Sequence, residues 1–268
     1  MNYGRRTNKA FTLIELVVAI AILVMVIFFA SMIFRVSISS YRAAAANAEI
    51  MQKLRAITDQ LNADFKGVRR TFPGTVRHNL ISGLIRSDSI AFLANGDFQS
   101  TGQPDGRTVV GNVASIFYGL ANITTLDPRE KILVRRQTIL TSDSFLPDSD
   151  SNPKGEYYKE SLAKWKVNPP VNDSVWIERP SLDPDKEEDL VMYMAKGVDD
   201  FEIRYAEWDS LNKEFEWLPE NEDLESDPNG WENKHIVTDA FKFTFTLYDS
   251  KDIIKDGRKF THIVYLGN

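Results

Sequence analysis

Two hydrophobic periods divide the chain. From Leu16 to Phe34, 19 residues run without a charge, close to the roughly 20 a helix needs to cross a hydrocarbon core. A cleaved secretory signal would have a shorter apolar core, roughly 7 to 15 residues, and a small-residue cleavage site after it; neither follows Phe34. Beyond this run, Ala46, Ile50, Leu54, Ile57, Leu61, Phe65 and Val68 recur at steps of three or four, with Arg42, Glu49, Lys53, Arg55, Asp59 and Asp64 assigned to other faces. No Gly or Pro occurs in the 56 residues from Phe11 to Lys66, and the first breaker is Gly67. The pattern predicts one continuous helix of roughly 84 Å, lipid-embedded at one end and amphipathic at the other.

After Gly67 the period shortens to two, in segments separated by Gly, Pro, Asn and Asp. The clearest is "AFKFTFTLYDS", with Phe241, Phe243, Phe245 and Leu247 on one face and Lys242, Thr244 and Thr246 on the other. "SIAFLA", "ASIFYGL", "KILVRRQTIL", "DLVMYMA", "FEIRYAEW" and "FTHIVYLG" give similar signals. A long helix followed by antiparallel strands predicts an α+β architecture with half-buried strands. Residues 141–189 interrupt the pattern with 12 acids and six of the chain's 11 prolines, and a short helix is expected around Tyr157 to Trp165. This insertion reads either as a solvated flap or as a surface that meets a partner. A second acidic loop spans residues 219–235.

Charge sharpens the division. Arg5, Arg6 and Lys9 precede the apolar run, and without the first ten residues the net charge moves from −6 to −9. Basic residues before a span hold that side in the cytoplasm, so the body is expected to be exported. An acidic body argues against a nucleic-acid partner. The absence of cysteine excludes disulfides, thiol catalysis and cysteine-ligated metals.

Glu15 is the one acid within the apolar segment, where an unpartnered carboxylate is costly. It sits either at the interface, within reach of water, or in an ion pair inside a helical assembly. Here the residues carry a resemblance: "KAFTLIELVVAIAIL" is similar to the processing site of type IV prepilins and pseudopilins. The resemblance implies a cleaved leader over residues 1–10, a cut between Ala10 and Phe11 by a prepilin peptidase, and N-methylation of Phe11. Thr12, Leu13 and Ile14 complete the motif, and Glu15 would pair with the N-terminal amine of a neighbouring subunit and set register in a filament. Ala10 departs from the family's preferred Gly.

The order of strands, with "MQKLRAITDQLNADFKGV" and "GVDDFEIRYAEWD", resembles the J-type minor pseudopilin of the type II secretion system. This implies a type IV pilin-like fold: residues 11–34 spanning the inner membrane once, 35–68 completing the helix, and 69–268 forming a periplasmic head. It also implies assembly with other minor and major pseudopilins near the tip of the pseudopilus, on an inner-membrane assembly platform. Two alternatives stay open: a minor pilin of a type IV pilus, and a periplasmic binding domain on a plain anchor, which would need neither Glu15 nor the Phe-Thr-Leu-Ile-Glu sequence.

No cofactor, metal or catalysis is expected. Asp148, Asp150 and Asn152 open like an EF-hand loop, but Pro153 stands where Gly is needed and Lys159 where a bidentate Glu is needed. Asp183, Asp185, Asp223, Glu225 and Asp227 add carboxylates without a closing pattern. His78, His235 and His262 are dispersed, and no nucleophile elbow or phosphate-binding loop is present. Asp199 and Asp200 are adjacent acids of a kind that chance supplies. Tyr205, Trp208, Phe215 and Trp217 read as core or subunit contact rather than as a sugar-binding cleft.

Overall fold

The computed structural model describes residues 12–68, 74–81, 85–100, 108–121, 125, 127–141, 157–159, 192–209, 214–218, 232–234 and 238–266. The long helix α1 runs unbroken over Leu13–Phe65. Its 53 residues extend roughly 80 Å. Strands follow in the order β1 (Gly74–Arg77), β2 (Leu80–Ile81), β3 (Ile85–Arg86), β4 (Ser89–Gln99), β5 (Val110–Ala121), β6 (Ile132–Thr141) and β7 (Tyr157–Lys159). After these come β8 (Tyr193–Lys196), β9 (Val198–Asp209), β10 (Glu214–Leu218), β11 (Glu232–Lys234), β12 (Ala240–Leu247) and β13 (Arg258–Tyr265). The architecture is α+β and pilin-like.

Among the described residues the strands form a large sheet, β11-β1-β4-β5-β6-β7 with β8 also on β6, a four-stranded sheet, β10-β9-β12-β13, and a β2-β3 pair. The second half of α1 closes one core with both sheets. Ile50, Ile57, Leu61 and Phe65 meet Phe92, Ile116 and Tyr118 of the large sheet and Phe201, Ile203, Phe241, Phe243 and Phe245 of the smaller one. Every residue of the predicted amphipathic stripe is buried except Leu54, which packs partly buried against the same core. Phe65 is the hub, its ring centroid 4.3 Å from Phe92 and 5.4 Å from Phe241.

Two glycines allow the close passages. A side chain on Gly67 would collide with the carbonyl of Asn95, where the helix end meets β4. Gly197, at φ 78°, turns the chain from β8 in one sheet to β9 in the other, in a conformation that costs an L-residue energy. One of the deviations in register lies in β9. Thr244 pairs with Glu202 but Thr246 with Asp199, so β9 carries one extra residue there, a bulge at which Asp200 adopts φ 50°. The Asp200 carboxylate accepts from Arg86 N and Lys259 Nζ, which holds the bulge in place.

Three expectations are corrected. Around residue 157 the chain forms a strand, not a helix, and β7 pairs parallel with the last residues of β6, so the sheet is not purely antiparallel. A Tyr-Tyr-Lys tripeptide suits the open edge of β6 better than an isolated helical turn. The central strand β5 is buried on both faces over its last eight residues, because Ala91, Phe117, Ala121, Ile132 and Val134 form a second apolar cluster on the face turned away from the helix. Asp64, assigned by type to a polar face, is buried. It lies three residues from Leu61 and next to Phe65, on the core side of the helix. Residues 142–156 and 160–191 of the acidic insertion, and 219–231 of the second loop, lie outside the described residues.

Candidate functional site: the first turn and the exposed half of the helix

Thr12 begins the site. Its backbone, at φ −81° and ψ 148°, is extended, and its hydroxyl accepts from Glu15 N at 3.4 Å. The Glu15 carboxylate turns back and accepts from Thr12 N at 3.0 Å and from Thr12 Oγ1 at 2.9 Å. This reciprocal arrangement is a capping box, which satisfies donors left without intrahelical partners at a helix start. Spacing alone dictates it, since Thr and Glu stand three apart immediately before an apolar run. In the single chain, therefore, the carboxylate is not bare: its own N-cap residue supplies both donors.

From Leu13 through Ala45 no residue is buried, and the exposed set includes Leu16, Val17, Ile20, Leu23, Phe28 and Phe34. α1 is long and apolar enough over this half to cross a membrane. An apolar surface on every side of a helix suits lipid or other helices, not water. Leu13 and Ile14, the middle of the motif, are 81% and 71% exposed, so the whole first turn is presented outward. Ala10 and Phe11 lie outside the described residues.

The other half fixes this rod to the head through ionic and polar contacts that sequence inspection did not find. Glu49 accepts from Lys53 Nζ at 2.8 Å and from the backbone and hydroxyl of Ser250, and Lys53 also donates to the carbonyl of Tyr248 at 2.8 Å. These bonds tie α1 to the loop between β12 and β13. At its far end Asp64 accepts a bidentate pair from Arg135, Nε at 2.6 Å and Nη2 at 2.7 Å, together with the Tyr118 hydroxyl and Gln60 Nε2. Burial and then the Asp64 charge push the Tyr118 hydroxyl well above its ordinary pKa. Burial would lower Arg135, but the hydrogen bonds and charge of Asp64 outweigh it, and Arg135 is raised.

A second buried charge cluster joins the two sheets. Asp88 accepts from Arg86 Nε at 3.1 Å, from Asn79 N and from Ile203 N of β9 at 2.9 Å, with His78 Nδ1 3.0 Å away. Burial alone would raise the Asp88 pKa, yet His78 and Arg86 hold it below the usual carboxylate range. His78 is thus structural. His262 contacts Asn62 of the helix at 3.0 Å and is half-buried, which depresses its pKa despite nearby Asp59. His235 lies outside the described residues.

Other candidates separate. Asp199 pairs with Lys131 at 2.6 Å and Asp200 holds the β9 bulge, so each carboxylate has its own partner. Leu218 stands opposite Tyr205 on the core face, whereas Trp217 stands opposite Ala206 and lies under Lys242, 4.4 Å from ring centroid to Nζ. Tyr205 and Trp217 therefore occupy opposite faces of the sheet and line no common cleft; Trp208 stands opposite Phe215 in the register. Among the described residues no three His, Asp or Glu side chains gather as a metal site. Asp148, Asp150, Asn152, Asp183, Asp185, Asp223, Glu225 and Asp227 lie outside them.

Comparison with known proteins bears on this same end of the chain. The prokaryotic N-terminal methylation motif matches residues 5–31, the interval that contains the capping box and most of the exposed apolar helix. No curated protein and no solved structure matches the chain. The motif supports a prepilin-like protein, and the helix that carries it is long and apolar enough to serve as the single-pass anchor typical of such proteins.

Proposed function

We propose that the chain is a minor pseudopilin of a type II secretion system, a structural subunit near the tip of a pseudopilus. The observation that carries this reading is a lipid-compatible half-helix opening on Thr-Leu-Ile-Glu and continuing without a break into the core of a β-rich head. In this reading the prepilin peptidase cuts between Ala10 and Phe11 and the new amine is methylated. Glu15 then exchanges its Thr12 donors for the amine of a neighbouring pseudopilin. An ion pair formed away from water holds only with good geometry, so a helix docked out of register leaves the carboxylate unpaired. The assembly platform extends the bundle outward from the inner membrane, with the heads in the periplasm.

Co-expression with a prepilin peptidase is expected to remove Met1 to Ala10, read by intact-mass spectrometry as loss of the leader and gain of one methyl group. An unprocessed N-terminus would overturn the reading. Glu15→Ala is expected to leave membrane insertion intact and to reduce co-purification of partner pseudopilins, and undiminished recovery would remove the pairing role.

A further inference from the structure

Where α1 leaves the head, a groove of about 500 Å³ opens between the helix and the β12–β13 loop. Its walls carry two acids, Glu49 and Asp249, and two cations, Arg42 and Lys251, with Ala45 and Ile253 as apolar surface. The acids are engaged. Glu49 is held by Lys53 and Ser250, while Asp249 accepts three backbone N–H groups, from Lys251, Ile253 and Ile254. The cations are not: Arg42 and Lys251 are exposed and have no ion-pair partner among the described residues. The lining thus carries two charges of each sign, and the two whose charged groups have no hydrogen-bond or ion-pair partner among the described residues are the cations.

The helix fixes how high this groove stands above the bilayer. Phe34 is the last residue of the uncharged run, and Tyr41, seven residues on and 77% exposed, flanks the groove. Seven residues rise about 10 Å, and the headgroup layer on each side of the hydrocarbon is roughly 5 to 7 Å thick. The groove therefore opens at the outer boundary of the headgroups, within reach of long basic side chains. Arg35, Ile38, Arg42, Ala45 and Glu49 recur at steps of three and four, so one stripe of the helix leads from the bilayer edge into the groove. Arg35 also lacks an ion-pair partner among the described residues. Tyr41 is placed as aromatic residues are at membrane interfaces.

We infer that this groove and the tip of the β12–β13 loop form a seat for anionic phospholipid headgroups, on which the head rests before it is drawn into an assembly. Arg42 and Lys251 take the phosphate, with Tyr41 and Ile253 against the outer part of the headgroup layer. The inference rests on the first half of α1 spanning a bilayer.

The test uses the full chain in vesicles of phosphatidylcholine alone and of phosphatidylcholine with phosphatidylglycerol in equal parts, read by amide hydrogen exchange over residues 250–255. Two basic groups beside an anionic surface predict protection roughly 30-fold greater in the phosphatidylglycerol vesicles. That difference should vanish at high salt, with no variant needed, and in Arg42→Gln/Lys251→Gln, while exchange in β12 stays unchanged as evidence of an intact fold. Equal protection in the two vesicle types would overturn the seat, as would protection that rises only with protein density, which would mark a neighbouring copy as the occupant. Failure to float with either vesicle would instead remove the membrane span, and the seat with it.

Discussion

At the scale of single residues, the most consequential side chain in the head is one that hydropathy assigned to the wrong face. Asp64 sits on the core side of α1 because of its spacing from Leu61 and Phe65, and it is tolerated there because Arg135, Tyr118 and Gln60 surround its carboxylate. Truncation at Asp64 would leave Arg135 partly buried without a counter-charge, and breaking a buried pair from one side costs about 3 to 5 kcal/mol. Asp64→Ala in the full chain in detergent is expected to lose about 3 kcal/mol, measured by urea unfolding. Asp64→Ala/Arg135→Met should recover much of that loss, since removing both partners leaves no orphan charge. A double variant as unstable as the single one would show that the network does not act as a pair. The position of Asp64 was legible in the sequence as helical spacing, but its partners were not, because Tyr118 and Arg135 lie 54 and 71 residues away. Thr12 and Glu15 are the opposite case. Their capping box spans three residues, so local sequence suffices to place it.

At the scale of elements, what could be read in advance follows the same division between local and distant. β12 announced itself, since Phe241, Phe243, Phe245 and Leu247 alternate with polar residues and all four are buried. The short strands β1, β2, β3, β10 and β11 did not, because segments of two to five residues carry too few positions to establish a period. The helix expected around residue 157 is instead β7, three residues long and too short to show a period, whose pairing partner at the edge of β6 lies outside its local sequence. The joint between the two sheets was equally hidden. It rests on Asp88, which reaches from the start of β4 to Ile203 N of β9. A carboxylate whose folded pKa is depressed contributes stability that is present above its unfolded value, about 3.9, and is lost as pH falls through the folded value. The urea midpoint is therefore expected to drop as pH is lowered through and below about 4, and Asp88→Asn should be less stable at neutral pH with a shallower acid limb. An acid limb equally steep in the variant would assign the pH dependence to other carboxylates.

At the scale of the whole molecule, the chain is a rod of which one half does all the packing. None of residues 12–45 is buried, and Ala46 is the first helical residue to enter the core. The apolar first half therefore contributes nothing to the cohesion of the head. Its hydrophobic surface is instead available to lipid and to other helices, as the function proposed above requires. The stability of the head should then be indifferent to the anchor. Removal of residues 1–34 is expected to give a chain that needs no detergent and whose thermal midpoint matches that of the full chain in detergent to within about 2 °C, because a loss of 1 kcal/mol in a domain of this size shifts the midpoint by about 2 to 4 °C. Circular dichroism on both chains checks this. A midpoint lower by about 5 °C or more would mean that the first half of the helix folds back on the head. The rod would then be held in reserve by its own domain, and assembly would have to release it before any neighbour could pair with Glu15.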